Sequence, residues 1–166
     1  MLNSNVNKAK LIPAFPLLAN DPAFEITDKE NINYNCIAYA ACEFNEWWQA
    51  LPIDKRPSVA LDGVKYNWPY DVPNDSKLST LIEIFSKKKY EVCVNGNYED
   101  GFRKICFYGH TPDKIEHAAR QYANGKDAGK WTSKLGQSFT ITHGEATFIE
   151  STEYGKVLCF MRCQWP

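Results

Sequence analysis

An α+β fold with an antiparallel sheet is predicted by three features of the chain. Segments with helical spacing come early and segments of short strands come later, no βαβ alternation appears, and Asn-Gly or single-glycine turns separate the strands. The 166 residues, 19.0 kDa, are one domain's worth of material. A chain of that size buries roughly 70% of its unfolded surface, so a core without staples is feasible.

Residues 1–30 read as an N-terminal arm, because Ile12-Pro13-Ala14-Phe15-Pro16 and Asn20-Asp21-Pro22 are extended-chain and turn signals. Residues 31–166 read as a single domain. Its first helix is expected from about Cys36 to Trp48, capped by Asn33 or Asn35, with Ile37, Ala38, Ala40, Ala41, Phe44 and Trp47 on its apolar face. Prolines make 50–75 irregular around the cluster Tyr66-Asn67-Trp68-Pro69-Tyr70. A second helix fits Ser76 to Lys89, where Leu78, Leu81, Ile82 and Phe85 recur at helical spacing and three lysines close the negative end. Strands are then expected at Tyr90–Val94, Phe102–Tyr108, Ile115–Tyr122, Lys130–Leu135 and Val157–Arg162.

Composition narrows the function classes. Hydrophobic residues at 44% and charged residues at 23% exclude a disordered chain. Nineteen basic against twenty acidic side chains leave a charge of −1, which argues against nucleic acid or an anionic membrane as partner. No apolar run is long enough for a transmembrane helix, and the start lacks a signal-peptide pattern, so a cytoplasmic location is expected, although non-classical export leaves no mark. Six cysteines without a C-x-x-C pair are read as reduced thiols, and neither a metal nor a cofactor is expected.

Chemistry is most readable at Cys36 and the three histidines. A cysteine in the first turn of a helix has the dipole and the free amides that favour a thiolate, and the thiolate is the nucleophile. His117 opens a later strand and is the candidate general base. A turn over 123–129 brings the strand near Trp131–Leu135 beside it, so Ser133, or Thr132 after a one-residue slip, is the candidate for orienting the ring. By alternation Arg120 falls on the opposite strand face from His117. The aromatics Trp47-Trp48 and Trp68-Pro69-Tyr70 serve either as a peptide- or glycan-binding cleft or as core packing.

Tyr34-Asn35-Cys36-Ile37-Ala38 resembles the aromatic–Asn–Cys–x–small signature that opens the catalytic helix of NlpC-type papain-like cysteine peptidases. The His117 strand, Asn124-Gly125 and the return strand are similar to that group's histidine hairpin. Further blocks resemble an uncharacterised bacterial family: Trp47-Trp48, Asn67-Trp68-Pro69, Thr80-Leu81, His117-Ala118-Ala119-Arg120-Gln121, Trp131 to Gly136, and Tyr154-Gly155. The papain-like resemblance implies a catalytic helix packed on an antiparallel sheet, with Cys36 as nucleophile and His117 as base. Its third position is usually His, Asn or Gln, where this chain offers Thr132, Ser133 and Lys134; Ser133 is the candidate, with His143 as an alternative. The backbone N–H of Cys36 would hold an oxyanion, with Asn35 and Tyr34 as second-donor candidates and Trp68 and Gln121 as substrate contacts. The expected function is a cysteine hydrolase of amide, isopeptide or thioester bonds in a peptide or protein substrate. The alternative is a non-catalytic binding or inhibitory module on the same fold.

Overall fold

The computed structural model describes residues 1–50 and 65–165 of the chain. Seven strands form one antiparallel sheet: β1 (Glu25–Asp28), β4 (Glu91–Cys93), β5 (Phe102–Thr111), β6 (Lys114–Gln121), β7 (Trp131–Lys134), β8 (Thr140–His143) and β9 (Lys156–Gln164). Their spatial order is β1-β8-β7-β6-β5-β9-β4. Among the described residues three α-helices, α1 (Asn5–Leu11), α2 (Cys36–Ala40) and α3 (Leu78–Lys87), complete an α+β architecture, with β2 (Trp47–Trp48) and β3 (Tyr66–Asn67) pairing in parallel apart from the sheet. No helix among the described residues is long and apolar enough to cross a membrane.

Alternation along β5 divides the interior in two. Ile105 and Phe107 join α2, α3, Trp48 and Trp68 in one core cluster, while Cys106 and Tyr108 join Trp131, Ile141 and Ile149 in the other. Residues 1–30 supply that second cluster with Leu11, Phe15, Leu18, Phe24 and Ile26, and β1 pairs with β8. The segment read as an arm is therefore a sheet edge and a core wall, with part of its apolar content hidden between prolines.

The helix expected from Cys36 to Trp48 is α2, Cys36–Ala40, shorter than its apolar face suggested. Cys42 takes a left-handed backbone (φ 61°), Glu43 N–H donates to Ala38 O at 2.8 Å and Cys42 N–H to Tyr39 O at 3.0 Å. That is a Schellman stop built without its usual glycine, so the sequence carried no stop signal. Trp47 and Trp48 leave the helix for β2. The second helix spans Leu78–Lys87 inside its expected limits, and the five expected strands are present as β4, β5, β6, β7 and β9. β1 and β8 were not foreseen, and Pro52 and Pro57 of the irregular segment lie outside the described residues.

Two local features hold the site's surroundings. Gly155 (φ 74°) lies so close to the end of β5 that an added Cβ would collide with the Gly109 carbonyl group, which fixes the entry into β9. Ahead of α3, Asp75 Oδ1 accepts from Thr80 Oγ1 at 2.6 Å and from Lys77 N–H at 3.1 Å, and these hydrogen bonds hold its carboxyl below the ordinary range. Asp75→Ala is expected to lower stability by about 1 kcal/mol in urea unfolding; an unchanged midpoint would show that α3 starts without this brace.

Candidate functional site

Cys36 stands at the first position of α2, and Asn35 explains why a helix starts there. The Asn35 Oδ1 accepts from Ala38 N–H (3.1 Å) and Trp48 N–H (3.1 Å), while its Nδ2 donates to Trp48 O (2.9 Å). One buried amide thus caps the helix and ties it to β2, which spends its polar groups on structure. α2 lies against β6 and β7. A pocket of about 310 Å³ opens there, lined by Cys36, Trp48, Gln49, Trp68, Ser76 and Glu116 among others.

The pocket's sheet side comes from a β-bulge. Tyr108 pairs with His117 and Gly109 with Ile115, which leaves Glu116 as the extra residue on β6. Ile115 and Ala118 consequently share the α2 face although they are three apart, and Lys114 and Glu116 form a rim pair at 3.5 Å. Gln49, Ser76, Lys114, Ile115 and Glu116 were missed as pocket residues, since a register shift is set by strand pairing and leaves no mark in local sequence. Trp68 both lines the pocket and packs in the first core cluster, its Nε1 donating to Pro73 O at 2.7 Å.

His117 sits on the other face. Its ring stacks on Tyr154 at 4.1 Å between centroids and lies 5.3 Å from Tyr108, both in the second core cluster. Neither ring nitrogen has a hydrogen-bond partner among the described residues, and the side chain is fully buried. Burial first, and the neighbouring His143 second, hold its pKa well below the ordinary histidine value. The thiol and the imidazole therefore do not form a hydrogen-bonded pair. Arg120 lies opposite His117, as alternation predicted, but the face it takes is that of α2, over the Tyr39 ring at 4.8 Å.

Ser133 and His117 share a face, but the Ser133 hydroxyl is 2.9 Å from His143 Nε2. His143 Nδ1 is 2.8 Å from Glu145 O, and a carbonyl only accepts, so Nδ1 carries the proton and Nε2 accepts from Ser133. Ser133 orients His143 in place of His117. Thr132 points to α2, 2.8 Å from the Tyr39 hydroxyl. Tyr34 packs on Tyr39 and Phe44, and Gln121 Nε2 donates to Gly96 O (2.8 Å) and Gly129 O (3.2 Å), so neither side chain reaches the pocket as a substrate contact.

Electrostatics at Cys36 work in opposite directions. Burial pushes the thiol up, while the backbone N–H groups of Ala118, Ile37 and Cys36 and the Lys134 ammonium pull it down; the net direction is up. Lys134 is buried, donates to Gly136 O (2.6 Å) and Ser138 O (3.1 Å), and is itself pulled down by burial. Among the described residues no cluster of three or more His, Cys, Asp or Glu is arranged to hold a metal ion. A larger cavity, about 610 Å³, lies away at the β4–β9 end around Arg162, whose guanidinium is tied to Glu91 and Glu99.

Residues 25–162 match the model of one protein family, described as a domain of unknown function (DUF7689), and the chain belongs to that family. No curated protein and no solved structure matches the chain.

Proposed function

We propose that this protein is a binding module whose pocket beside α2 takes an apolar side chain of a peptide or protein partner. The observation that carries this reading is the make-up of the pocket. Trp48, Trp68, Ile37 and Ile115 supply apolar walls, Gln49 and Ser76 supply amide and hydroxyl partners for a peptide bond, and Lys114 and Glu116 neutralise each other at the rim. At about 310 Å³ the space suits one side chain and its adjoining amide better than an extended ligand. The lining thiol has no base hydrogen-bonded to it among the described residues, and burial pushes its pKa up.

The test is a fluorescence titration of Trp48 and Trp68 with N-acetyl-leucinamide, with N-acetyl-glycinamide as control. Saturable change with the leucine compound alone is expected, and Ser76→Phe, which fills the pocket, abolishes it. Identical linear responses to both compounds would overturn the reading.

A cysteine hydrolase of papain-like type is the second reading, and one observation favours it. Cys36 opens α2, where the first N–H groups of the helix have no intrahelical partner, and such donors stabilise an oxyanion. That reading requires His117 to reach Cys36 from the opposite face of the sheet. It predicts that iodoacetamide at pH 6 alkylates Cys36 far faster than the other five cysteines. The binding reading predicts slow alkylation, because a thiol whose pKa is raised and which has no base beside it is a poor nucleophile at that pH. Fast, selective labelling of Cys36 would transfer the conclusion to the hydrolase.

A further inference from the structure

Arg103, Arg120 and Arg162 are the arginines among the described residues. Arg162 is tied to Glu91 and Glu99, but neither Arg103 nor Arg120 has a carboxylate within ion-pair distance among those residues. The two unpaired arginines are neighbours. Ile105 pairs directly with Arg120 across β5 and β6, and Arg103 lies two residues before Ile105 on the same strand. Alternation therefore puts Arg103 and Arg120 on one sheet face as a diagonal pair, with Cα atoms about 7–8 Å apart. Both guanidinium groups lie against the turn that ends α2. Arg103 Nη1 donates to the Cys42 sulfur at 2.8 Å, Arg120 lies 4.8 Å over the Tyr39 ring, and Cys42 N–H donates to Tyr39 O at 3.0 Å. The Trp165 ring holds Arg103 from another side, its centroid 3.3 Å from the guanidinium carbon. Both arginines are partly exposed, yet the Nε of each is buried without a hydrogen-bond partner. A buried donor with no acceptor costs free energy and is rare in native structures. The polar groups close by are already engaged: the Tyr39 hydroxyl with Thr132, the Tyr122 hydroxyl with Thr142, and the Glu43 carboxylate with Asn45 N–H.

We infer that Arg103 and Arg120 together bind a phosphate monoester in its dianionic form. Two fixed positive charges match a dianion, whereas a single carboxylate would neutralise only one of them. A guanidinium keeps its charge at any working pH and presents parallel N–H groups that fit two phosphate oxygens at once. The contacts with Trp165 and Tyr39 orient both groups before a ligand arrives, so less freedom is lost on binding. The phosphate oxygens supply the acceptors that the pair lacks. Because Cys36 opens α2 and Cys42 follows its end, this site lies at the other end of the helix from Cys36 and stands independently of the peptide-binding reading.

The experiment titrates the isotope-labelled full chain with phenyl phosphate at pH 7.5 and constant ionic strength, following the arginine Nε–H signals by NMR. Benzoate, which keeps the ring and carries one charge, is the control. The Arg103 and Arg120 signals are expected to move together and saturate on one isotherm, while the Arg162 signal stays in place. Arg103→Gln and Arg120→Gln assign the signals and each weaken binding by about tenfold, the value of one charge-assisted contact. Arg103→Lys keeps the charge without the fork and weakens binding by less, which separates loss of the site from loss of the fold. Arg162→Gln leaves the affinity unchanged. No saturable shift of the Arg103 and Arg120 signals in the wild-type protein would overturn the proposal. So would equal affinity for benzoate, or phenyl phosphate binding that survives both glutamine substitutions.

Discussion

Asn35→Ala is expected to lower unfolding free energy by about 3–4 kcal/mol, combining a lost helix cap with buried backbone groups left unpaired. The side chain accepts from two backbone N–H groups and donates to one carbonyl, all in a buried setting. Alanine removes all three bonds and introduces no group to replace them. The N–H and the carbonyl of Trp48 both lose their Asn35 partner, and Trp48 is a wall of the pocket. A loss of that size moves the thermal midpoint down by roughly 10 °C in a domain of this length. The measurement is urea and thermal unfolding of both proteins, with the N-acetyl-leucinamide titration repeated on the variant below its midpoint. A change under about 1 kcal/mol would mean that the joint between α2 and β2 is held by packing alone.

The same asparagine shows where the sequence was legible. Its place before Cys36 identified a helix start, because an Asn cap leaves a local signature. Its second job, gripping Trp48, is a tertiary contact and left none. The strands β5, β6, β7 and β9 were readable from alternation and turn residues. β8 was not, since Thr140-Ile141-Thr142-His143 is buried on both faces and its polar members resemble a turn. The sequence also placed Cys36 and His117 each in the expected kind of element, helix start and strand. Whether two such groups meet depends on which sheet face each one takes. The bulge at Glu116 fixes which of its neighbours share a face, turning Ile115 and Ala118 toward α2 and His117 toward Tyr108 and Tyr154. Alternation correctly set Arg120 against His117, but nothing local to β6 says which of the two faces α2. Ser133 was assigned to the correct face and to the wrong histidine, because the strand carrying His143 was itself unforeseen.

Acidification from pH 7 to pH 5 is expected to remove about 2 kcal/mol of stability through His143, with a further loss of the same sign through His117. Burial depresses both imidazoles, His143 from 6.5 to about 4 and His117 well below 6.5. A depressed native pKa means that the unfolded chain binds more protons than the native one below pH 6.5. The stabilisation is thus complete above that pH and is lost as pH falls toward the native values. The Glu145 carbonyl and the Asp21 charge soften the shift at His143 without cancelling it. Nothing comparable helps His117, whose neighbours Tyr108 and Tyr154 are aromatic and whose nitrogens have no partner among the described residues. Carboxylates with depressed values, such as Glu46 and Asp75, add their own loss only at lower pH. Urea unfolding at pH 7, 6 and 5 separates these contributions, with His117→Phe as the informative variant. Phenylalanine retains the stack on Tyr154 and cannot be protonated, so it should make the loss between pH 7 and 5 smaller than in the wild type. A wild-type stability equal at the two pH values would show that neither histidine is held neutral, and with it that the second core is wetter than its packing implies.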